Sequence, residues 1–180
     1  VVFSAGPGSF TGVRLAASVA KTLAYAADVP VIAISSLAVI AQTYARVTQS
    51  LASCLVITDA RMDELYVAEY DFDSNGCAFA IKADMLLAID KFELNKYQAK
   101  KIVGDAELLL QGIKADQEYT WLSLTANAQD LITLGEKAYK EGFVTTALQA
   151  EAIYLRDKTS WKNTEQQIKA KEQLQKKNNK

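Results

Sequence analysis

The sequence has no histidine, and only two cysteines, two prolines and two tryptophans among its 180 residues. Each scarcity removes a class of chemistry. Without imidazole there is no Ser-His-Asp relay, no Cys-His pair and no HExxH zinc site. Cys54 lies inside an apolar run and Cys77 follows a turn signal, far from each other in sequence. They form neither a disulfide framework nor a structural zinc site, and a reducing, cytoplasmic compartment is expected. No apolar run approaches the ~20 residues needed to cross a bilayer, and no basic segment with a cleavage site opens the chain, so no membrane partner is expected. Charge of one sign is lacking too. Twenty Lys and Arg stand against 21 Asp and Glu, a net of −1, so the whole molecule has no long-range field to draw in nucleic acid.

What remains is an ordinary globular composition, 50% hydrophobic, 23% charged and 9% aromatic, which excludes disordered and fibrous classes. The length suits one domain or two small lobes. Val1 opens inside a β-branched run with no polar lead-in, which predicts that the natural protein begins further upstream. That first strand, residues 1–3, runs into a loop over 6–12 with three Gly and one Pro. Val13, Ala16, Ala17, Ala20, Leu23, Ala24 and Ala27 then recur at helical spacing and predict a helix over 13–27, stopped by Asp28 and Pro30. Residues 31–34 read as a second buried strand, and Ser35 or Ser36 caps a helix over 37–46. Strand, crossover helix and strand in this order predict a parallel pair with a right-handed connection.

Beyond residue 53, residues 54–58 and the alternating segment 64–71 read as strands, with Leu65, Val67 and Glu69 on one face and Tyr66, Ala68 and Tyr70 on the other. Asp73-Ser74-Asn75-Gly76 turns the chain into 77–81, completing an antiparallel meander with a hairpin at Asn75-Gly76. A short strand over 101–103, a short helix over 105–111 and a helix over 127–141 follow. The predicted division is 1–48 for the first lobe, 49–157 for a second α/β lobe and 158–180 for a basic tail. That tail carries seven Lys and two Glu, a net of +5, and reads as solvated, with a phosphate-contacting arm as the alternative.

For chemistry, the loop over 6–12 has physical potential for an anion, since a helix N-terminus presents free N–H groups and a favourable dipole. Gly6, Gly8, Ser9, Thr11 and Gly12 are the candidate residues. The loop has neither the Lys-Ser or Lys-Thr ending of a phosphate-binding P-loop nor the dinucleotide pattern of spaced glycines, and on residue types alone a capped strand-to-helix turn is the favoured reading. Arg14 is placed to reach an anion or a partner carboxylate, or to stand in solvent. Asp59, Asp63 and Glu64 cluster after a strand where a metal or base can sit, but Arg61 among them favours surface pairing. No catalytic residue and no metal ligand is assigned.

The run Gly6-Pro7-Gly8-Ser9-Phe10-Thr11-Gly12-Val13-Arg14 resembles the TsaB (YeaZ) family of tRNA threonylcarbamoyladenosine synthesis. The resemblance continues through the Ala-rich helix, Pro30 and Ser35-Ser36-Leu37-Ala38 to Asp59-Ala60-Arg61-Met62-Asp63-Glu64-Leu65-Tyr66, and returns at Ile153-Tyr154-Leu155-Arg156. It implies an α/β, actin-like ATPase (ASKHA, RNase H-like) fold in two lobes, the first lacking the family's N-terminal strands. It further implies a degenerate paralogue of the transferase TsaD, serving as a non-catalytic scaffold. Implied partners are a TsaD-like paralogue, a TsaE-like ATPase, a second copy when isolated, and tRNA through the complex. No cofactor is implied for the chain alone, with ATP or ADP in the assembled complex.

The family's partner-binding helices map onto the first two here, giving Val13, Arg14, Ala16, Ala17, Ser18, Ala20, Lys21, Leu37, Ile40 and Ala41 as interface candidates. On periodicity alone the same Ala-rich helix reads as a packed core helix. Two alternatives stand beside the scaffold: an actin-like nucleotide hydrolase or transferase using the 6–12 loop, and an M22 glycoprotease-like peptidase, disfavoured by the absence of His.

Overall fold

The computed structural model describes residues 1–110 and 118–156. The expectations for the basic tail, and for the end of the short helix at Gln111, lie outside the described residues. The chain opens as strand β1 (Val2–Gly6), helix α1 (Phe10–Ala27), strand β2 (Ile32–Ser35) and helix α2 (Ser36–Thr48). β1 and β2 pair in parallel, with Phe3 opposite Ala33, as the strand-helix-strand order requires. Ser9 caps α1 and the helix begins at Phe10, three residues before the predicted start, so Gly12 belongs to its first turn. Asp28 closes α1 in the left-handed conformation. Ser35 caps α2, its Oγ accepting from the Leu37 and Ala38 amides.

The second sheet contains β3 (Cys54–Arg61), β4 (Glu64–Phe72), β5 (Ala78–Ala88), β6 (Lys101–Gly104) and β7 (Thr120–Ser123) in the order β5-β4-β3-β6-β7. The first three form the predicted antiparallel meander, while β6 and β7 extend it in parallel from β3. Alternation along β3 sends Cys54 and Val56 to one face and Leu55 and Ile57 to the other, all fully buried. The first face packs on α2. The second is covered by the connection carrying Phe92, Leu94, Tyr97 and Ala99. Glu69 falls on this second face, as predicted, where its Oε1 accepts from the Gln98 and Ala99 amides at 2.7 Å each.

α2 lies between the two sheets, which explains why residues 39–45 are buried without interruption. Gln42 on α2 donates to the Gly76 carbonyl and accepts from the Ala78 amide, pinning the β4–β5 hairpin to the helix. Helix α3 (Asp130–Lys140) is three residues shorter at its start than predicted, and it packs on α2, β1 and β2. At its first turn Asp130 accepts from Thr43 Oγ1 at 2.7 Å and from both Nε and Nη2 of Arg46 at 2.7 and 3.0 Å. The predicted helix over 105–111 is a 3-10 turn at Glu107–Leu110.

The final described segment, residues 145–156, returns to the first sheet. Thr145 bridges Val31, and the Ile153 amide donates to the Ala5 carbonyl at 2.7 Å. Residues 130–156 thus complete the surroundings of β1 and β2, while the larger sheet is drawn from residues 54–123.

Candidate functional site

The 6–9 loop leaves β1 through Gly6, whose φ of 105° suits glycine, and enters α1 at Ser9. Ser9 Oγ accepts from the Gly12 amide at 3.2 Å, and the Ser9 carbonyl accepts from the Val13 amide. One of the helix's terminal donors, the Gly12 amide, is therefore engaged by the chain itself, and the Val13 bond is the first of the helix ladder. Arg14 lies over the Phe10 ring at 3.6 Å and within 5.9 Å of the Tyr154 ring, and its Nε donates to the Tyr154 hydroxyl at 3.1 Å. The sequence offered an anion, a carboxylate or solvent for Arg14. Its observed partners are aromatic, one of them 140 residues away.

Facing the loop is the β3–β4 turn, where Arg61, Met62 and Asp63 take positive φ of 64°, 58° and 57°. Three consecutive left-handed residues persist only where surroundings hold them. Arg156 does so by donating to the Ala60 and Arg61 carbonyls and to Glu64. Asp59 pairs with Arg61 at 2.7 Å and receives its amide, while the Asp59 amide donates to Asp105. Asp59 and Glu64 are engaged by arginines, as the surface-pairing alternative anticipated. Among the described residues, no three His, Cys, Asp or Glu are grouped to hold a metal.

Loop and turn enclose two adjoining cavities. One of about 340 Å³ lies between Pro7, Gly8 and Ser9, the α2 start and Asp59 with Asp105. The other, of about 350 Å³, is lined by parts of three of the four strings quoted for the family resemblance: Gly8 to Phe10 with Arg14, Ala60 to Met62 with Tyr66, and residues 153–156.

Elsewhere the polar side chains serve the fold. Asp84 accepts from Ser35 Oγ at 2.5 Å and from the Tyr70 hydroxyl at 2.8 Å, tying β5 to the start of α2, and burial pushes the Tyr70 hydroxyl well above its ordinary range. Burial likewise pushes the Cys54 thiol up to about 12, far from a nucleophile's range. For Asp130, burial acts to raise the pKa, but hydrogen bonds from Arg46 and Thr43 outweigh it and hold the carboxyl below the usual carboxylate range.

The interface candidates divide sharply. Val13, Ala17, Ala20, Leu37, Ile40 and Ala41 are all buried in the chain's own core, so they do not face a partner. The alanines of α1 bring the helix close to β1, where Ala17, Ala20 and Ala24 pack with Phe3, Ala5 and Val31. The core-helix alternative therefore describes the inner stripe. Ser18 and Arg14 are exposed, and Ala16 and Lys21 are half-buried. The outward apolar stripe consists of Leu15, Val19 and Leu23, 63%, 50% and 57% exposed; none of the three is among the interface candidates, and Leu23 is read from the sequence with the recurring apolar set that includes the buried alanines. Their spacing of four was the available signal. It sets them on one ridge about 12 Å long.

A model of the family described as TsaD, tRNA N6-adenosine threonylcarbamoyltransferase, matches residues 1–176. The tRNA threonylcarbamoyladenosine biosynthesis protein TsaB of Escherichia coli K12 is 30% identical over 171 residues, covering 90% of this chain and 72% of that protein. The chain belongs to the TsaB family. The Haemophilus influenzae TsaB is 32% identical over 170 residues with the same coverage. Among solved structures, YeaZ from Pseudomonas aeruginosa superposes with a TM-score of 0.77 at 30% identity, covering 86% of this chain and 73% of that one. A second P. aeruginosa structure, described as similar to peptidase YeaZ, gives 0.77 at 32% identity. These likenesses and the TsaD family match support the actin-like α/β fold that the resemblance implied.

Proposed function

We propose that this TsaB-family chain is a non-catalytic scaffold that binds the threonylcarbamoyltransferase TsaD and supports threonylcarbamoyladenosine modification of tRNA next to the anticodon. The observation that carries this reading is the outer face of α1. Leu15, Val19 and Leu23 form an apolar ridge on a helix whose opposite side already fills the core. Large apolar side chains outward and alanines inward reverse the usual arrangement of a surface helix. A facing helix would bury the ridge, and in isolation a second copy would do so by two-fold symmetry.

The name of the curated relatives supports the tRNA-modification role. The chain chemistry supports a supporting part in it, since Asp59 and Glu64 are engaged by arginines and the sequence contains no imidazole. Nucleotide belongs to the assembled complex, which a TsaE-like ATPase joins, and tRNA is met through that complex in the cytoplasm. No helix among the described residues is long and apolar enough to cross a membrane.

Reconstitution tests the reading. Threonylcarbamoyl transfer to unmodified tRNA is measured with TsaD and TsaE, with and without this chain. The scaffold account expects transfer to rise until one chain is present per TsaD, and none from the chain alone. ATP turnover by the isolated chain, lost when Asp59 or the 6–12 loop is altered, would overturn it.

A further inference from the structure

The 350 Å³ cavity has a chemistry that the scaffold role does not use. Its size lies within the range of small-molecule sites, ~300–1,000 Å³. Rings from Phe10, Tyr66 and Tyr154 line it together with the guanidiniums of Arg14, Arg61 and Arg156, and no carboxylate is among its described lining residues. Arg61 and Arg156 are paired, with Asp59 and Glu64. Arg14 has no carboxylate partner among the described residues. Contacts with Phe10 and Tyr154 fix the plane of its guanidinium, and its Nε is engaged by the Tyr154 hydroxyl. Neither Nη group has a hydrogen-bond partner among the described residues, and the two form a preset fork, the geometry that a carboxylate or phosphate accepts.

Two further donors border the same space. The Tyr66 hydroxyl makes no hydrogen bond among the described residues, and burial raises its pKa, so it stays protonated. Ser9 Oγ accepts from the Gly12 amide and keeps its own proton to give. The cavity thus combines positive charge, hydroxyl donors and π faces, with its backbone acceptors at Ala60 and Arg61 already taken by Arg156.

We propose that this cavity binds an aromatic anion, a planar unsaturated ring bearing a phosphate or carboxylate group, with Arg14 as the bidentate donor to the anion. The ring lies among Phe10, Tyr66 and Tyr154, where edge or face contacts are sequence-independent and favour planar groups. The anion meets Arg14, with Tyr66 and Ser9 supplying further hydrogen bonds. The proposal is independent of the scaffold reading, since it concerns the side of the loop that faces the returning segment 145–156, a strap across the first sheet, and not the outer ridge of α1.

The test is a calorimetric and NMR titration of the full 180-residue chain with phenyl phosphate and with benzoate. Inorganic phosphate and cyclohexanecarboxylate serve as non-aromatic controls. Saturable binding of one aromatic anion at about 1 mM or tighter is expected, as ordinary ligand efficiency gives for a ligand of this size. The controls bind at least about tenfold more weakly, and the better of the two aromatic probes identifies the anionic group. Arg14→Gln weakens binding at least about tenfold, and Tyr66→Phe about threefold, by losing a charge-assisted and a single hydroxyl bond. Both replaced side chains lie outside the buried core, and circular dichroism confirms each variant's fold. Absence of saturable binding by either aromatic probe, equal binding of the controls, or undiminished binding by Arg14→Gln would overturn the proposal.

Discussion

A methyl group at Gly6 should unsettle the chain far more than one at Gly8, two residues on in the same loop. Gly6 has a φ of 105°, and a Cβ built there stands 2.8 Å from the Ile153 carbonyl oxygen and 3.1 Å from Val13 Cγ1. The oxygen is backbone, in a residue held by its own amide bond to Ala5 at 2.7 Å, so it cannot swing aside as a side chain would. The conformation costs roughly 1–2 kcal/mol for a non-glycine residue, and overpacking of this kind costs ~1–3 kcal/mol more. Gly6→Ala should therefore lose about 3 kcal/mol, a fall in Tm of about 6–12 °C for a chain of this length. Gly8 has no such backbone demand, and its Cβ meets Val13 Cγ1 at an ordinary 3.5 Å. Gly8→Ala should stay within ~0.5 kcal/mol of the parent. Thermal and urea unfolding followed by circular dichroism measure both. A parent-like Gly6→Ala, or equal losses at the two positions, would refute the reasoning that Gly6 is required by the strap at Ile153.

Three further outcomes follow from buried polar groups. Asp130 has a folded-state pKa below its ordinary value, so its stabilisation is complete above the usual carboxylate range near ~4 and is lost as pH falls through the folded value. Asp130→Asn should lose about 1–2 kcal/mol at neutral pH, discounted because Arg46 is 37% exposed, and should flatten the acid limb of the stability profile; an unchanged limb contradicts it. Glu69 is 1% exposed and holds two amides, so Glu69→Ala should cost ~2–4 kcal/mol in urea unfolding, and Glu69→Gln distinctly less because its Oε1 still accepts both. Cys54, fully buried with its thiol pushed up to about 12, should resist iodoacetamide in the native state at pH 8 and react only on unfolding, which mass spectrometry reads directly.

The first four elements were legible because each is marked locally: Ser9 and Ser35 as caps, Asp28 with Pro30 as a stop, and alternation or helical spacing between. The hairpin was legible from Asp73, whose Oδ1 receives the Asn75 and Cys77 amides, and from Gly76 at φ 75°. β5 runs to Ala88, beyond the predicted end at 81, because Lys82 and Asp84 disguise the strand. Their partners, Glu69 and the Ser35–Tyr70 pair, are tertiary and leave no local trace. β7 is four residues long and joins the sheet only through β6, so it carried no pattern of its own. At the site, the three family strings that line the cavity were visible but their convergence was not, since Arg156 and the 60–64 turn are brought together by the returning strap. On α1 the two readings, core helix and interface helix, stayed open for a simpler reason. With apolar residues on both stripes, periodicity does not say which one is inward, and close packing on the strands selected the alanines.

The central claim is that the Leu15–Val19–Leu23 ridge binds TsaD. The measurement that tests it most directly is a calorimetric titration of TsaD with the chain and with Val19→Glu, where a charge enters the ridge at a 50% exposed position without touching the core. Ile81→Glu, at a similarly exposed apolar position on β5, is the control. The account predicts saturable one-to-one binding, weakened at least about thirtyfold by Val19→Glu, as at a central interface residue, and unchanged by the control. No binding by the folded chain, or equal binding by Val19→Glu, would contradict it.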